Sequence, residues 1–302
     1  MRVKNLLAPA AAAVTVLLWA SSFVAIRYVG ADFSPGPMAL ARLLIGSLLL
    51  GAFLFLRPGR QRWQRPEHRD WPLLLGCGLL WFGAYNVALG AAERRLDAGT
   101  AAMLVHIAPL LIALLAGLTL GEGFPRQLVI GSAVAFTGVL LIGGSTSTGR
   151  AETWGVVLCV AGAISYAVGV VTQKPLLGRL PAAQVTWLAC SIGTVACLPF
   201  APGLIRELGE AGPAAIWWVV YLGAFPTALG FTTWAFALRH TTAGRMGATT
   251  YLVPLVAILL AWLLLGETPA GLAIVGGALC LVGVAVSRSR GRTRERVSAA
   301  RA

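Results

Sequence analysis

The chain has 302 residues, 58% of them hydrophobic and only 12% charged, with a mean hydropathy of +0.80. Soluble domains are about half apolar and a quarter charged, so this composition excludes one and identifies an integral membrane protein. The formal charge of +13 invites a nucleic-acid partner, which the placement of the charges, taken up below, argues against.

In chain order, the opening "MRVKNLLAPAAAAVTVLLWASS" sets Arg2 and Lys4 before an apolar run, as a signal peptide does. The run continues past its small residues to Val29, so it reads as an uncleaved first helix over 14–29. Apolar runs at 43–56, 73–92, 98–120 and 128–142 follow, then 155–171, 185–200, 214–237, 246–265 and 272–286. These approach the roughly 20 apolar residues that cross a bilayer as helix, which predicts ten transmembrane helices. Turns such as "GADFSPGP" (30–37) and "RPGRQRWQRPEHRDW" (57–71) separate them. The alternation of a transmembrane β-barrel is absent.

If the N-terminus is cytoplasmic, 18 of the 24 Arg and Lys fall in cytoplasmic segments, among them five at 57–69 and six at 288–301. That is the positive-inside pattern, and it puts both termini in the cytoplasm. The tail 288–302 is expected to touch anionic lipid headgroups, and no nucleic-acid partner is expected. An alanine and arginine bias with two lysines points to a bacterial plasma (inner) membrane. Cys77, Cys159, Cys190, Cys197 and Cys280 lack paired metal spacing and read as small packing residues.

The sequence repeats. "PLLIALLAGLTLGE" (109–122) returns as "PLVAILLAWLLLGE" (254–267), and an offset of 145 also aligns Ala98-Gly99 with Ala243-Gly244, Gly131 with Gly276 and Gly138 with Gly283. An offset of 147 aligns Trp19 with Tyr166 and Arg27 with Lys174. Five helices per copy is an odd number, so the second copy enters the bilayer from the opposite side. The fold class is therefore all-α and polytopic, ten helices in two inverted five-helix repeats. The first covers 1–143, an inter-repeat loop 144–153, the second repeat 154–287 and the basic tail 288–302. Inverted repeats place substrate at the midplane and rock around it.

"WASSFVAIR", "PMALARLLIG", the two "P…LLGE" helices and "PTALGFTTWAFALRHTTAGRMGATTYLVPLVAILLAWLLLGE" resemble the EamA domains of the drug/metabolite transporter superfamily, from about Val14 to Val286. The resemblance implies ten helices and export of small metabolites, amino acids included, without ATP hydrolysis. The superfamily's four-helix multidrug members carry a carboxylate in their first helix. Here that helix reads Trp19-Ala20-Ser21-Ser22, which argues against exchange of polycationic drugs.

Several residues are candidates for the substrate site. Arg42 lies inside an apolar helix, where a charge costs about 2.5–3.5 kcal/mol on the insertion scale, so it must face protein or water. It either binds a substrate carboxylate or phosphate, or anchors to backbone carbonyls or snorkels. Pro109 and Pro254 break helices and free the carbonyls of Val105 and Thr250. His106, Thr250 and Tyr251 cluster just before them. His106 is either a proton carrier, with a reference pKa of about 6.5, or a neutral interhelical hydrogen-bonding group. Trp19, Ser22, Tyr85, Asn86, Tyr166, Trp187, Phe231, Thr232 and Trp234 suit an apolar-walled cavity with a few orienting groups, or else interfacial packing. Glu122 and Glu267 close their helices as gates or as hydrated helix ends.

Every Asp and Glu is expected in a loop or at a helix end, leaving no carboxylate in the cavity. The function these readings favour is secondary export of a small neutral, zwitterionic or weakly anionic metabolite, an amino acid foremost, with proton coupling open. A membrane-embedded enzyme and a non-transporting sensor are the alternatives. No phosphate loop, His/Asp cluster or paired carboxylates support catalysis, and no metal or cofactor is expected.

Overall fold

The computed structural model describes residues 4–30, 32–56, 63–96, 98–147, 152–265 and 271–289. Glu267, the middle of the 144–153 connection and the tail beyond Ser289 lie outside the described residues. Ten helices follow one another as the apolar runs require. α1 is Lys4–Val29, α2 is Pro35–Leu56, and α3 combines Trp71–Gly76, Cys77–Ala84 and Tyr85–Glu93. α4 is split into Ala98–Val105 and Ala108–Thr119, and α5 is Arg126–Thr146. α6 is Thr153–Leu176, α7 is Ala182–Cys197 and α8 is Pro213–Arg239. α9 is split into Ala243–Thr249 and Leu252–Leu265, and α10 is Gly271–Arg288. Among the described residues nine helices are long and apolar enough to cross a membrane, and α4 contributes the shorter apolar stretch Met103–Thr119.

The two copies, α1–α5 and α6–α10, meet around a pseudo-two-fold axis that shows in the contacts themselves. The Cys190 thiol donates to the Leu43 carbonyl (3.3 Å), 147 residues away, and the Cys280 thiol to the Ala135 carbonyl (3.5 Å), 145 away. Trp19 faces Tyr166 and His106 faces Tyr251, each at 6.4 Å between ring centroids. A residue touches its own counterpart only where the axis passes between them. Far from the cavity described below, α5 and α10 touch backbone to backbone. A Cβ on Gly138 would stand 2.5 Å from the Gly276 carbonyl oxygen, and one on Gly276 would stand 2.6 Å from that of Gly138. Small residues let membrane helices approach this closely, so the glycines that the repeat aligns form a close-packed seam between the two copies.

After α7 a short amphipathic helix, Ala201–Glu210, packs against α2. Leu204 and Glu207 turn inward while Ile205 and Leu208 stay exposed. The Glu207 carboxylate accepts from the Ser34 backbone N–H (2.9 Å) and hydroxyl (2.5 Å), capping the start of α2, where an anion is favoured by the helix dipole. At the other end, the Gln184 side chain pairs with both backbone groups of Gln64 and Arg179 pairs with buried Asp70, fixing the segment that leads into α3.

Candidate functional site: a cavity at the meeting of the two copies

Both split helices reach one cavity, of about 710 Å³ including its open mouth. α4 is interrupted at His106–Ile107 just before Pro109, and α9 at Thr250–Tyr251 just before Pro254. Proline supplies no N–H to the preceding turn, so the ladder cannot run through. Val105, His106 and Pro109 line the cavity from the first break, Thr250 and Val253 from the second. Broken helices at matching places in two repeats are where transporters place substrate, since irregular backbone survives in a bilayer only against protein or water. The Thr250 hydroxyl closes its own break by donating to the Gly247 carbonyl at 2.7 Å.

A second matched irregularity was not visible in the sequence. α3 and α8 each widen into a π-helical segment, Cys77–Ala84 and Gly223–Leu229. Such turns misalign carbonyls that side chains must then satisfy, and they gather at functional sites. Asn86 lines the cavity, and its Nδ2 donates to the Phe82 carbonyl (2.8 Å) and the Trp81 carbonyl (3.3 Å), so its amide nitrogen serves the backbone of the π-helical segment. In α8 the Thr227 hydroxyl donates to the Leu222 carbonyl (2.8 Å) and accepts from Arg42 Nε (3.1 Å). The arginine of one copy is therefore oriented by the π segment of the other.

Rings make the floor. Trp81, carried in by the π segment, stacks on Tyr166 at 5.2 Å and meets Phe231 edge-on at 4.9 Å. Trp19 stacks on Trp234 at 5.0 Å. Trp234 is completely buried beneath the floor and donates from Nε1 to Gln173 Oε1 (3.2 Å).

Two charges overlook this floor. Arg42 forms no ion pair among the described residues, and Glu93 lines the same cavity, as does Tyr85. The expectation of a cavity without carboxylates is corrected here. The third span runs one residue beyond the predicted limit of 92, and that residue, Glu93, belongs to the last turn of α3, whose face lines the mouth. His106 is buried, lies on the cavity wall and is the titratable group of the α4 break.

Of the residues singled out from sequence, Trp19, Ser22, Arg42, Tyr85, Asn86, His106, Pro109, Tyr166 and Thr250 converge on this cavity. Phe231 joins them. Trp234 underlies it, and Tyr251 is fully buried on the far side of His106, 6.3 Å from Phe136. Pro254 acts on the course of α9 and is absent from the wall. Trp187 packs elsewhere, against Phe55 and Trp63. Trp81 and Glu93 escaped the reading. Among the described residues no three His, Cys, Asp or Glu side chains gather to hold a metal.

The sequence profile of the EamA-like transporter family matches residues 6–144 and again 153–289. A probable terminal-alkyne amino-acid exporter of Streptantibioticus cattleyicolor is 38% identical over 93% of this chain and 94% of its own length. A probable amino-acid metabolite efflux pump of Salmonella typhimurium is 28% identical over 91% of this chain and 93% of its own length. One solved crystal structure superposes with a TM-score of 0.76 at 22% identity, covering 93% of this chain and 96% of that one, which shows a shared fold. Two family matches in tandem across ten helices, together with exporter-named relatives aligned over nine-tenths of the chain, give one conclusion: the chain belongs to the EamA-like transporter family and is a multi-pass secondary transporter, not an enzyme.

Proposed function

We propose that this transporter exports zwitterionic amino acids with uncharged side chains. The observation that carries this is the presence of both Arg42 and Glu93 on the wall of one aromatic-lined cavity. The guanidinium offers a forked donor set to a carboxylate, and Glu93 offers an acceptor to an ammonium group. Trp19, Trp81, Tyr166 and Phe231 present apolar faces where a charged side chain would lose its water without a partner. Two relatives bear amino-acid exporter names, which supports the same class. His106, at the break of α4, carries a coupled proton in this reading. The bilayer is the bacterial plasma membrane and both termini face the cytoplasm, as the distribution of Arg and Lys supports.

The test is flux of labelled neutral amino acids into proteoliposomes, against protein-free vesicles. Each amino acid is compared with its decarboxylated amine and its deaminated acid. Losing one charge-assisted contact is worth about 1.5–3 kcal/mol, so each analogue should move at least roughly tenfold more slowly. Absence of amino-acid flux from folded protein refutes the assignment.

A further inference from the structure

The cavity opens toward one end of the bundle. Ile26 and Glu93, near the ends of α1 and α3, belong to its wall, and exposed Arg94 and Arg95 follow directly. Beneath the aromatic floor, at the opposite end, two charged side chains reach the turn 240–242 that joins α8 to α9. From the first copy, the Glu122 carboxylate accepts from the N–H of Ala243 (2.7 Å) and of Gly244 (3.1 Å). From α6, the Lys174 ammonium donates to the carbonyls of Leu238 (2.6 Å) and Thr241 (2.5 Å). An anion thus holds the amides that start α9 while a cation holds the carbonyls that end α8, each complementing its helix end. Gly121 and Gly123 have φ of 67° and 64°, a left-handed backbone that a side chain resists. That pair of turns carries Glu122 to the other copy.

We propose that Glu122 and Lys174 form the bolt that keeps this end shut while the cavity faces the other way, and that transport requires the bolt to be drawn. The inference rests on the alternating-access transport described above, though not on the identity of the substrate. Three features set the bolt apart from ordinary helix capping. The Glu122 contact crosses from one copy to the other and ties the end of α4 to the start of α9, the two helices that are split at the cavity. Both side chains act on one turn, and the charge of Glu122 also bears on Lys174. The bolt also adjoins the floor: Gln173, the neighbour of Lys174, accepts from Trp234, which stacks on Trp19. A ligand that moves the floor rings therefore acts on the helix turn that carries the bolt.

The experiment uses the full chain in vesicles of known orientation. Ser22→Cys places a thiol on the cavity wall, and the five native cysteines are all buried. The rate of labelling by a membrane-impermeant maleimide is read from each side. In the otherwise unaltered protein the thiol should react from the open side. Glu122→Gln and Lys174→Met should each raise labelling from the bolted side by about tenfold, a shift of 1.4 kcal/mol, and lower it from the open side. Folded variants with unchanged sidedness would overturn the proposal. So would loss of the fold in both, because the contacts would then hold the protein together rather than one of its states. Amino-acid flux through the unsubstituted protein, reconstituted in parallel, separates the two claims. Flux with unchanged sidedness retires the bolt alone, and altered sidedness without flux retires the substrate assignment alone.

Discussion

The two copies share an architecture and divide the chemistry. Each has a split helix before a proline, a π-helical segment in its third helix and a glycine face on its fifth. The counterparts of the polar cavity residues are different in kind. Arg42 corresponds to Ala189 at an offset of 147, while Asn86 corresponds to Phe231, Glu93 to Leu238 and His106 to Tyr251 at 145. The first copy supplies the charges as well as Trp19 and Trp81, and the second completes the aromatic floor with Tyr166 and Phe231 and adds the Thr227 hydroxyl that aims Arg42. Duplication therefore explains how the molecule moves between two similar states. The departures from duplication are where we place its choice of substrate.

The strongest way to break this division is Arg42→Gln. We expect transport of carboxylated substrates to fall by roughly ten- to a hundredfold, the worth of one charged contact, while folded yield on size exclusion is unchanged. Loss of folded protein would make Arg42 an anchor, and the charged half of the comparison would disappear. Thr227→Val sharpens the same point from the other copy. It removes the acceptor for Arg42 Nε and leaves the Leu222 carbonyl without its donor, so a smaller loss of flux should come with a lowered melting temperature. The glycine seam tests the shared half. Gly138→Ala and Gly276→Ala each drive a methyl into backbone of the opposite copy, and each should cost about 1–3 kcal/mol of stability. Markedly unequal melting shifts would show that the seam does not obey the pseudo-two-fold.

What the sequence disclosed follows from which features leave a mark on composition and spacing. Helix number, the repeat, the two breaks and the glycine seam are written in apolar run length, offset, proline and glycine, each with a direct backbone consequence. The counterpart pairs Trp19/Tyr166 and His106/Tyr251 were legible as alignments, and only the folded chain shows them face to face. The π segments were hidden because every position in "CGLLWFGA" and nearly every one in "GAFPTAL" is apolar or small, so a change of helical phase leaves no periodic trace. Trp81 was missed with them. Glu93 was missed for a different reason: hydropathy ends a span where the first charge appears, whereas a helix ends where its hydrogen bonds do. Glu122 was correctly placed at a helix end, yet its partners lie 121 and 122 residues away, a relation no local pattern encodes.

The smallest effect is expected at His106, and it tests the comparison where the two copies touch. His106 and Tyr251 occupy the same place in their copies and face each other, yet imidazole titrates near neutrality and phenol does not. If the first copy holds the proton-carrying group as it holds the charges, His106→Gln should leave downhill exchange intact and flatten the dependence of net flux on pH. Glutamine keeps a hydrogen-bonding side chain at the break, so the packing of α4 survives and the proton site alone is removed. An unchanged pH profile would reduce His106 to an interhelical polar contact. Coupling would then pass to Glu93, the carboxylate that the same copy holds at the cavity mouth.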